Sequence, residues 1–463
     1  MAAVLNSQER FALGQQRRKR VGRTKHSVWK AKDRRDNPLK LMQHSMMGRV
    51  PVLAALKYER MEASPFGYFR GAVPVMAYDL SLLANTGLAS QLCGDAHVRN
   101  LGAYAASDGR LVFDINDFDE TVAGPFEWDV KRMATSLILA GREAGAGDSN
   151  CREATEKFLE RYRRCMADFA RMPVLEVARF QVHRLTKIKA VEKILQVAER
   201  ATPLDSLQSL TRPEKHAVSA KQRSKVRGTA KDEKRKLPDF PTRRFKTAPP
   251  ELKRVTGGEA ERVVGSLTKY AESLSPERKV FFSQYRPVDV AFKVVGTGSV
   301  GLRDYCIYMA GNGSKDPLFL QIKEEVDSAY APYLRQRSGK ANRGHVVHQG
   351  RRVAEGERLM QLQSDPFLGW TTMEGRHYLV RQLNDHKASI QLGDLKRSPL
   401  IEYAEVCGEL LARGHARSGD SSMLAGYLGT SKTFDDAVGS FAAAYADQTE
   451  RDWRELVRSR KSK

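Results

Sequence analysis

The pattern of hydrophobic and polar positions changes along the chain. Residues 126–200 carry apolar side chains three and four apart, in runs such as VKRMATSLILAGREA and CREATEKFLERYRRCMADFARM, which predicts amphipathic helices. Residues 288–324 instead contain VDVAFKVV, RDYCIYMA and PLFLQIKE around a glycine turn, which is typical of strands. Residues 349–363 return to helical spacing, and HYLVRQL at 377–383 predicts another strand. The pattern therefore predicts an α+β protein.

Charge and composition divide the chain further. Its 463 residues are 41% hydrophobic and 29% charged, which indicates a globular protein with more than one hydrophobic core. The net charge of +23 favours anionic partners such as nucleotides or nucleic acid. Residues 211–254 hold 15 Lys and Arg against 5 Asp and Glu, with many prolines, which predicts a solvated linker. We therefore expect five segments, listed in order: a basic N-terminal arm at 1–60, a mixed segment at 61–200, a basic linker at 201–255, a strand-rich segment at 256–388 and a helical segment at 389–463.

Several protein classes are disfavoured by the sequence. The longest apolar runs are shorter than the roughly 18 residues needed to cross a bilayer, and the first 20 residues have no apolar stretch before their basic cluster. The five cysteines are widely spaced and form no CxxC pair, which argues against a disulfide framework or a zinc site. We expect a cytoplasmic protein with no membrane partner.

The densest chemical signal lies at LCGDAHVRN, residues 92–100, followed by LVFDINDFDE at 111–120. Phosphoryl transfer requires a group that accepts or orients the proton of the attacking hydroxyl, together with oxygen ligands for magnesium. Asp95 suits the first task. Asn100 would offer an amide oxygen to the metal from the same loop, and either Asp114 or Asp117 would offer a carboxylate.

The motif GDxHxxN, followed by a hydrophobic strand and an acidic turn, resembles the catalytic and metal loops of aminoglycoside-phosphotransferase-like kinases. GPFEWDVKR at 124–132 resembles the helix of those enzymes that opens with an aspartate, which would brace the catalytic loop. This register favours Asp117 over Asp114 as the metal ligand. The resemblance implies ATP and Mg²⁺ as cofactors, with Asp95 as the catalytic residue and Asn100 and Asp117 as metal ligands.

A second signal is the GxGxxG run formed by Gly296, Gly298 and Gly301. A strand follows it, and not the helix that a dinucleotide-binding fold requires. Glycines on a hairpin allow close approach to phosphates, and Lys323 on the next predicted strand would pair with them. In kinases a glutamate on the following helix holds this lysine; VAEGERLMQ offers Glu355 or Glu357, and we favour Glu355.

The two signals stand in the reverse of the usual kinase order, which a circular permutation would explain. Residues 403–416, YAEVCGELLARGHA, resemble the helix that precedes the catalytic loop in aminoglycoside kinases. We therefore expect a bilobal protein-kinase-like fold with permuted lobe order. Residues 61–200 would form the core of the large lobe with its catalytic and metal loops, 256–388 the small nucleotide-binding lobe, and 389–463 the helical remainder of the large lobe.

The chain also resembles, over nearly its whole length, a bacterial family catalogued as domain of unknown function 2252. The matching passages include SPFGYFRGA, LCGDAHVRNLGAY, FDINDFDETVAGPFEWDVKR, KVVGTGSVGLR, LFLQIKE and ELLARGHARSGD. This resemblance implies no chemistry. Arg70 and His415, which lie in these passages, are interpreted as structural residues, although both side chains are able to contact phosphate.

These observations favour an ATP- and magnesium-dependent phosphotransferase acting on an unidentified small-molecule or protein acceptor. One alternative is a nucleotide-binding pseudokinase or an enzyme that transfers the nucleotidyl part of ATP, because a common kinase loop has histidine where this chain has Cys93. A second alternative is a nucleic-acid-binding protein that uses the basic segments.

Overall fold

The computed structural model describes residues 5–106, 108–182, 188–214, 243–294, 296–313, 315–338, 347–383 and 386–461. Helices and strands are both abundant, so the α+β class predicted from the sequence is confirmed. The helices within these residues are α1 (Ser7–Arg20), α2 (Pro38–Ser45), α3 (Pro51–Glu62), α4 (Pro65–Gly71), α5 (Val73–Leu82), α6 (Glu127–Glu143), α7 (Asp148–Arg171), α8 (Val174–Arg179), α9 (Lys189–Arg200), α10 (Pro203–Leu210), α11 (Gly258–Gly265), α12 (Leu267–Ser273), α13 (Pro276–Phe282), α14 (Ala331–Ser338), α15 (Gln349–Met360), α16 (Ser398–Ser418), α17 (Ser421–Leu428) and α18 (Thr433–Lys461).

The strands of the same residues pair in four sheets, and all of the pairings are antiparallel. They are β1 (Ala89–Leu92), β2 (Leu101–Ala105), β3 (Leu111–Ile115), β4 (Val122–Pro125), β5 (Thr211–Pro213), β6 (Arg243–Phe245), β7 (Leu252–Val255), β8 (Arg286–Lys293), β9 (Asp304–Ala310), β10 (Pro317–Glu325), β11 (Gly369–Met373), β12 (Arg376–Gln382) and β13 (Ala388–Ser389).

The larger hydrophobic core belongs to the helices. Helices α6, α7, α16 and α18 bury aromatic side chains such as Trp128, Tyr162, Tyr403 and Phe441. Helices α7 and α16 lie so close together that a Cβ atom at Gly408 would sit 2.5 Å from the carbonyl oxygen of Phe158. The helical periodicity of residues 126–200 and of the C-terminal segment therefore predicted these elements correctly. We call this region the helical part.

A second core lies on one face of a six-stranded sheet with the strand order β11-β12-β10-β9-β8-β7. Helices α11, α12 and α13 cover that face with Val263, Leu267, Tyr270 and Phe282. The strands expected within 288–324 are confirmed, and so is the helix expected at 349–363. We call the sheet with these helices and α15 the sheet part.

Two segments differ from the simple expectation. The segment expected to be strand-rich opens with helices α11, α12 and α13, because its apolar residues recur at helical spacing and pack as one row onto the sheet. In the segment expected to be a linker, α10, β5, β6 and β7 occupy its described ends. The middle of that segment, 215–242, lies outside the described residues.

The basic N-terminal segment packs against the helical part. Asn6 caps α1 through a capping box with Glu9, and a Cβ atom at Gly14 would overlap the backbone of Met423 on α17. Arg18 and Arg23 donate hydrogen bonds to the carbonyl groups that end α17. These arginines therefore stabilise the end of a helix.

The sheet part joins the helical part through the short strand β13, which follows β12 and pairs with β2. Ala388 lies opposite Ala103, so the chain that leaves the six-stranded sheet enters the sheet formed by β2 and β3. This connection brings the loops after β1 and β3 next to the sheet part. No helix of the described residues combines the length and apolarity that a membrane crossing requires.

Candidate functional site

A cavity of about 160 Å³ lies where the sheet part meets the loops of the helical part. Its walls come from the glycine turn between β8 and β9, from the end of β10, and from the loops after β1 and β3. Among the lining residues are Asp95, Asn100, Asp117, Asp119, Gly298 and Glu325. The structure thus brings Asp95, Asn100 and Asp117 to the same cavity as the glycine turn.

Asp95 faces this cavity from the loop after β1. Its Oδ1 atom accepts a hydrogen bond of 2.8 Å from Nε of Arg132, and its Oδ2 lies 3.5 Å from Nε2 of His97. Arg132 is buried on α6 and lies over the ring of Phe69. Burial would raise the pKa of Asp95, but the charges of Arg132 and His97 outweigh it and hold the pKa well below its usual value. The carboxylate is therefore ionised and fixed in orientation.

The loop that carries Asp95 is braced from below by Asp129, as the sequence predicted. Asp129 Oδ2 accepts from the backbone N–H of Cys93 at 2.8 Å, and Oδ1 accepts from that of Gly94 at 3.0 Å. Gly94 has a φ of +82°, and a Cβ atom there would overlap the carbonyl of Glu120. This glycine is required by the sharp turn and by the close approach of the two loops.

Asn100 ties the two loops together. Its Nδ2 donates to the carbonyl oxygens of Asp95 and Asp117, both at 2.9 Å, and its Oδ1 accepts from the N–H of Asp117 at 2.7 Å. The side chain thus fixes the loop after β3, residues 116–121, relative to the loop after β1. We call residues 116–121 the acidic loop. An amide oxygen has two lone pairs, so one remains for another donor or a cation.

Lys323 meets two carboxylates of the acidic loop. Its Nζ atom forms a close ion pair with Asp119 and lies 3.7 Å from Oδ1 of Asp117. The Lys323 side chain is 3% exposed, whereas that of Asp117 is 49% exposed and faces the cavity. Burial would lower the pKa of the Lys323 ammonium, but Asp117 and Asp119 raise it above its usual value. The lysine is therefore a buried cation held by two carboxylates that line the cavity.

Asp114 and Asp117, the two candidates for a metal carboxylate, face different surroundings. Asp114 is buried beneath the loop and forms an ion pair with Arg413 of α16. Asp117 lines the cavity beside Asp119. Because Asp114 is committed to the core of the helical part, the structure leaves Asp117 as the candidate that reaches the cavity.

The glycine turn lies across the cavity from these carboxylates, and cations of the N-terminal segment hold it. Gly298 accepts hydrogen bonds of 3.0 Å from Arg49 and from the ammonium of Lys57, and Gly296 accepts from Arg60. Burial, followed by the charge of Arg49, lowers the pKa of Lys57 to about 7. Gly296 and Gly301 have φ values of +65° and +95°, which explains the glycines at these positions.

Glu355 stays away from the cavity. It lies on the outer face of α15 and forms an exposed ion pair of 2.7 Å with Arg351, so the structure does not bring it to Lys323. Glu357 on the same helix is buried, and burial raises its pKa to about 7. Helical geometry therefore turns Glu357 inward, and not Glu355, the residue favoured from the sequence.

Asp119, Glu325 and Arg132 also belong to the site, although the sequence did not predict them as site residues. Asp119 and Glu325 each have a buried carboxylate oxygen without a hydrogen-bond partner, and both side chains line the cavity. Burial and the charge of Asp117 raise the pKa of Asp119 to about 6. Asp119 lies within the DINDFDE run, two residues after Asp117. This spacing was the sequence signal that could have marked Asp119 as a second carboxylate of the site. The sequence carried no such signal for Arg132, because its partner Asp95 lies on a different element.

Asp117 and Asp119 are the residues that would hold a magnesium ion at this cavity. Within the described part of the chain, no three His, Cys, Asp or Glu side chains converge as a complete metal site. Magnesium in nucleotide sites is commonly held by one or two carboxylates together with substrate phosphates. Asp117 and the unpartnered oxygen of Asp119 match that description.

His415 and Arg70, which were both interpreted as structural residues, lie in different surroundings. His415 is buried in α16, where it contacts Tyr162 at 2.8 Å and Asp129 at 3.4 Å, as the structural interpretation expects. Arg70 lines the cavity.

Comparison with known proteins places the chain in a family without assigning it an activity. No curated protein and no solved structure matches it. The family described as "Uncharacterized protein conserved in bacteria (DUF2252)" matches residues 49–459, which include both parts of the fold and every residue of the cavity discussed above. The chain therefore belongs to the DUF2252 family.

Proposed function

We propose that this protein is an ATP- and magnesium-dependent phosphotransferase with a kinase-like, two-lobed fold whose lobes are permuted in sequence. The observation that carries the proposal is the contact of Lys323 with Asp117 and Asp119 at a cavity that Asp95 and the glycine turn also line. A strand lysine, a glycine turn, an acidic loop and a catalytic aspartate form the recurring set of groups in phosphoryl transfer by kinases.

The order of the elements supports the permutation. In the sheet part a glycine hairpin leads to a lysine strand and then to a helix, which is the order of a kinase small lobe. Helix α16 ends beside the strand that precedes the catalytic loop: the backbone N–H of Gln91 on β1 donates to Oγ of Ser418 at 3.2 Å. Joining the chain at this point would restore the usual order without moving either element.

The chain's own residues divide the work. Asp117 and Asp119 would hold magnesium, with Asn100 keeping their loop in place and offering its remaining lone pair. Lys323 would contact the phosphates, and the glycine turn would cover them. The bound Mg²⁺·ATP supplies the phosphoryl group and neutralises part of its charge.

Asp95 would orient the acceptor hydroxyl and accept its proton. Because Arg132 and His97 depress its pKa, Asp95 is a weak base whose strongest contribution is to position the acceptor. Such a role suits phosphoryl transfer, in which positioning and charge stabilisation provide most of the catalysis. Glu355 has no part in this arrangement, since Asp117 and Asp119 already hold Lys323.

Product analysis tests the proposal. The protein is incubated with magnesium, a metabolite extract and ATP labelled either at the γ-phosphate or in the adenosine part. ADP together with a γ-labelled acceptor supports phosphoryl transfer. AMP attached to protein or to another acceptor indicates nucleotidyl transfer, and binding of ATP without any product indicates a pseudokinase. Absence of ATP binding refutes the nucleotide site itself.

A further inference from the structure

Two arginines in the cavity lack partners. Arg70, at the end of α4, and Arg99, in the catalytic loop, both line the cavity. The Nε atom of each is buried without a hydrogen-bond partner, and no described residue forms a hydrogen bond or an ion pair with either guanidinium. The carboxylates of Asp95 and Asp117 line the same cavity and act on the charge of Arg70, but neither forms an ion pair with it. Burial, followed by the charge of Arg99, lowers the pKa of Arg70.

The other arginines that line this cavity, Arg49 and Arg381, have hydrogen-bond partners, and so does Arg132, which contacts the lining residue Asp95. Arg132 pairs with Asp95, Arg49 donates to the glycine turn, and Arg381 donates to Gln321 and to the carbonyl of Asn116. A partly buried guanidinium normally finds a carboxylate, a carbonyl or a bound anion. The lack of a partner therefore distinguishes Arg70 and Arg99 from the cations that serve the fold.

Arg70 and Arg99 lie near the loop that carries Asp95. Arg99 belongs to the same loop as Asp95, which Asn100 holds by the carbonyl of Asp95. The backbone of Arg70 lies next to the glycine turn, with its carbonyl oxygen 3.8 Å from where a Cβ atom of Gly298 would be. Arg132, which pairs with Asp95, also donates to the carbonyl of Phe69, the residue before Arg70. Lys323, by contrast, forms an ion pair with Asp119 of the acidic loop.

We infer that Arg70 and Arg99 bind an oxyanion of the acceptor, a phosphate or carboxylate group, and so hold the acceptor beside Asp95. The inference rests on the proposed function, since it names the substrate class of that site. Guanidinium groups suit this task because their planar donors match the geometry of phosphate and carboxylate oxygens. The terminal phosphate of the nucleotide is the other oxyanion within reach of the cavity, and the experiment below distinguishes it.

The probe is inorganic phosphate, titrated calorimetrically into the full chain with and without a saturating non-hydrolysable ATP analogue and Mg²⁺. Arg70→Gln and Arg99→Gln are compared with Arg262→Gln, which removes the same charge from an exposed ion pair on α11. If a glutamine variant does not fold, the corresponding lysine variant, Arg70→Lys or Arg99→Lys, replaces it in the titration. Lysine keeps the charge but removes the planar guanidinium donors.

We expect phosphate to bind the analogue-loaded wild type and the Arg262→Gln variant equally. Binding should be about tenfold to a hundredfold weaker in Arg70→Gln and Arg99→Gln, the range for loss of a charge-assisted hydrogen bond. Removal of an unpaired cation should leave the melting temperature unchanged or raised. A purely structural arginine would lower it.

Three results would overturn the inference: phosphate binding unaffected by both variants, no phosphate binding at all, or competition between phosphate and the analogue. The last would assign the arginines to the nucleotide. Failure of the proposed function gives a different result, namely no binding of the analogue by the wild type. In that case the titration without nucleotide still shows whether the two arginines form an oxyanion site.

Discussion

The ammonium of Lys323 lies 3.7 Å from Oδ1 of Asp117, and this contact joins the sheet part to the acidic loop of the helical part. Lys323 comes from a strand whose residues are all buried, whereas Asp117 follows a strand in the other part of the fold. The pairing holds β10 against the acidic loop, whose Asp117 and Asp119 line the cavity.

Asp95→Asn should reduce turnover of ATP at least about a hundredfold, because positioned proton acceptors contribute about 10²- to 10⁴-fold. Nucleotide affinity should remain within about twofold, since Asp95 faces the acceptor. Activity and nucleotide titration are measured on the same preparation, with Asp168→Asn as the control, an exposed aspartate on α7. Turnover at the wild-type rate would remove Asp95 from the mechanism.

Asp114→Asn should affect stability, whereas Asp117→Asn should affect magnesium binding. Asp114→Asn breaks a buried ion pair with Arg413, so the free energy of unfolding should fall by about 3 kcal/mol. Asp117→Asn should leave stability nearly unchanged and raise the magnesium concentration needed for nucleotide binding at least about tenfold. Urea unfolding and magnesium titration separate the two effects. A raised magnesium requirement in Asp114→Asn alone would show that the wrong aspartate was assigned to the metal.

Much of the fold follows from periodicity, since the sheet strands and the long helices carry distinct hydrophobic patterns. The glycine turn, Lys323 and the loop that carries Asp95 were likewise readable from the sequence. The choice between Glu355 and Glu357 was not, because it depends on which face of α15 packs against the sheet part. The lack of a hydrogen-bond partner for Arg70 could not be predicted from the sequence either, because it depends on which side chains the fold places nearby.

Lys57→Met should loosen the glycine turn. The substitution keeps the buried apolar stem and removes the hydrogen bond of 3.0 Å to Gly298. The loss of one hydrogen bond, about 1 kcal/mol, corresponds to about fivefold weaker binding of the ATP analogue. Lys253→Met, at an exposed position on β7, is the matched control. Equal affinities in the two variants would mean that the N-terminal segment has no influence on the nucleotide.

Asp304 should make stability depend on pH. It lies on β9 opposite Lys323, and burial raises its pKa from 3.8 to about 7. The folded protein therefore retains a proton that the unfolded chain releases, so this contribution to stability is complete below about pH 4 and is lost as the pH rises to about 7. Asp304→Asn should flatten that decline in melting temperature. Parallel profiles for the variant and the wild type would contradict the assigned shift.

The most direct test of the account is calorimetric titration of the full chain with a non-hydrolysable ATP analogue, with and without Mg²⁺, in wild type, Lys323→Met and the control Lys253→Met. We predict one magnesium-dependent site in the wild type and the control. Binding in Lys323→Met should be about tenfold to a hundredfold weaker because a charged contact with phosphate is lost. Circular dichroism confirms that each variant is folded. No binding by the wild type, or equal binding by a folded Lys323→Met variant, would contradict the proposal that this cavity is a nucleotide site.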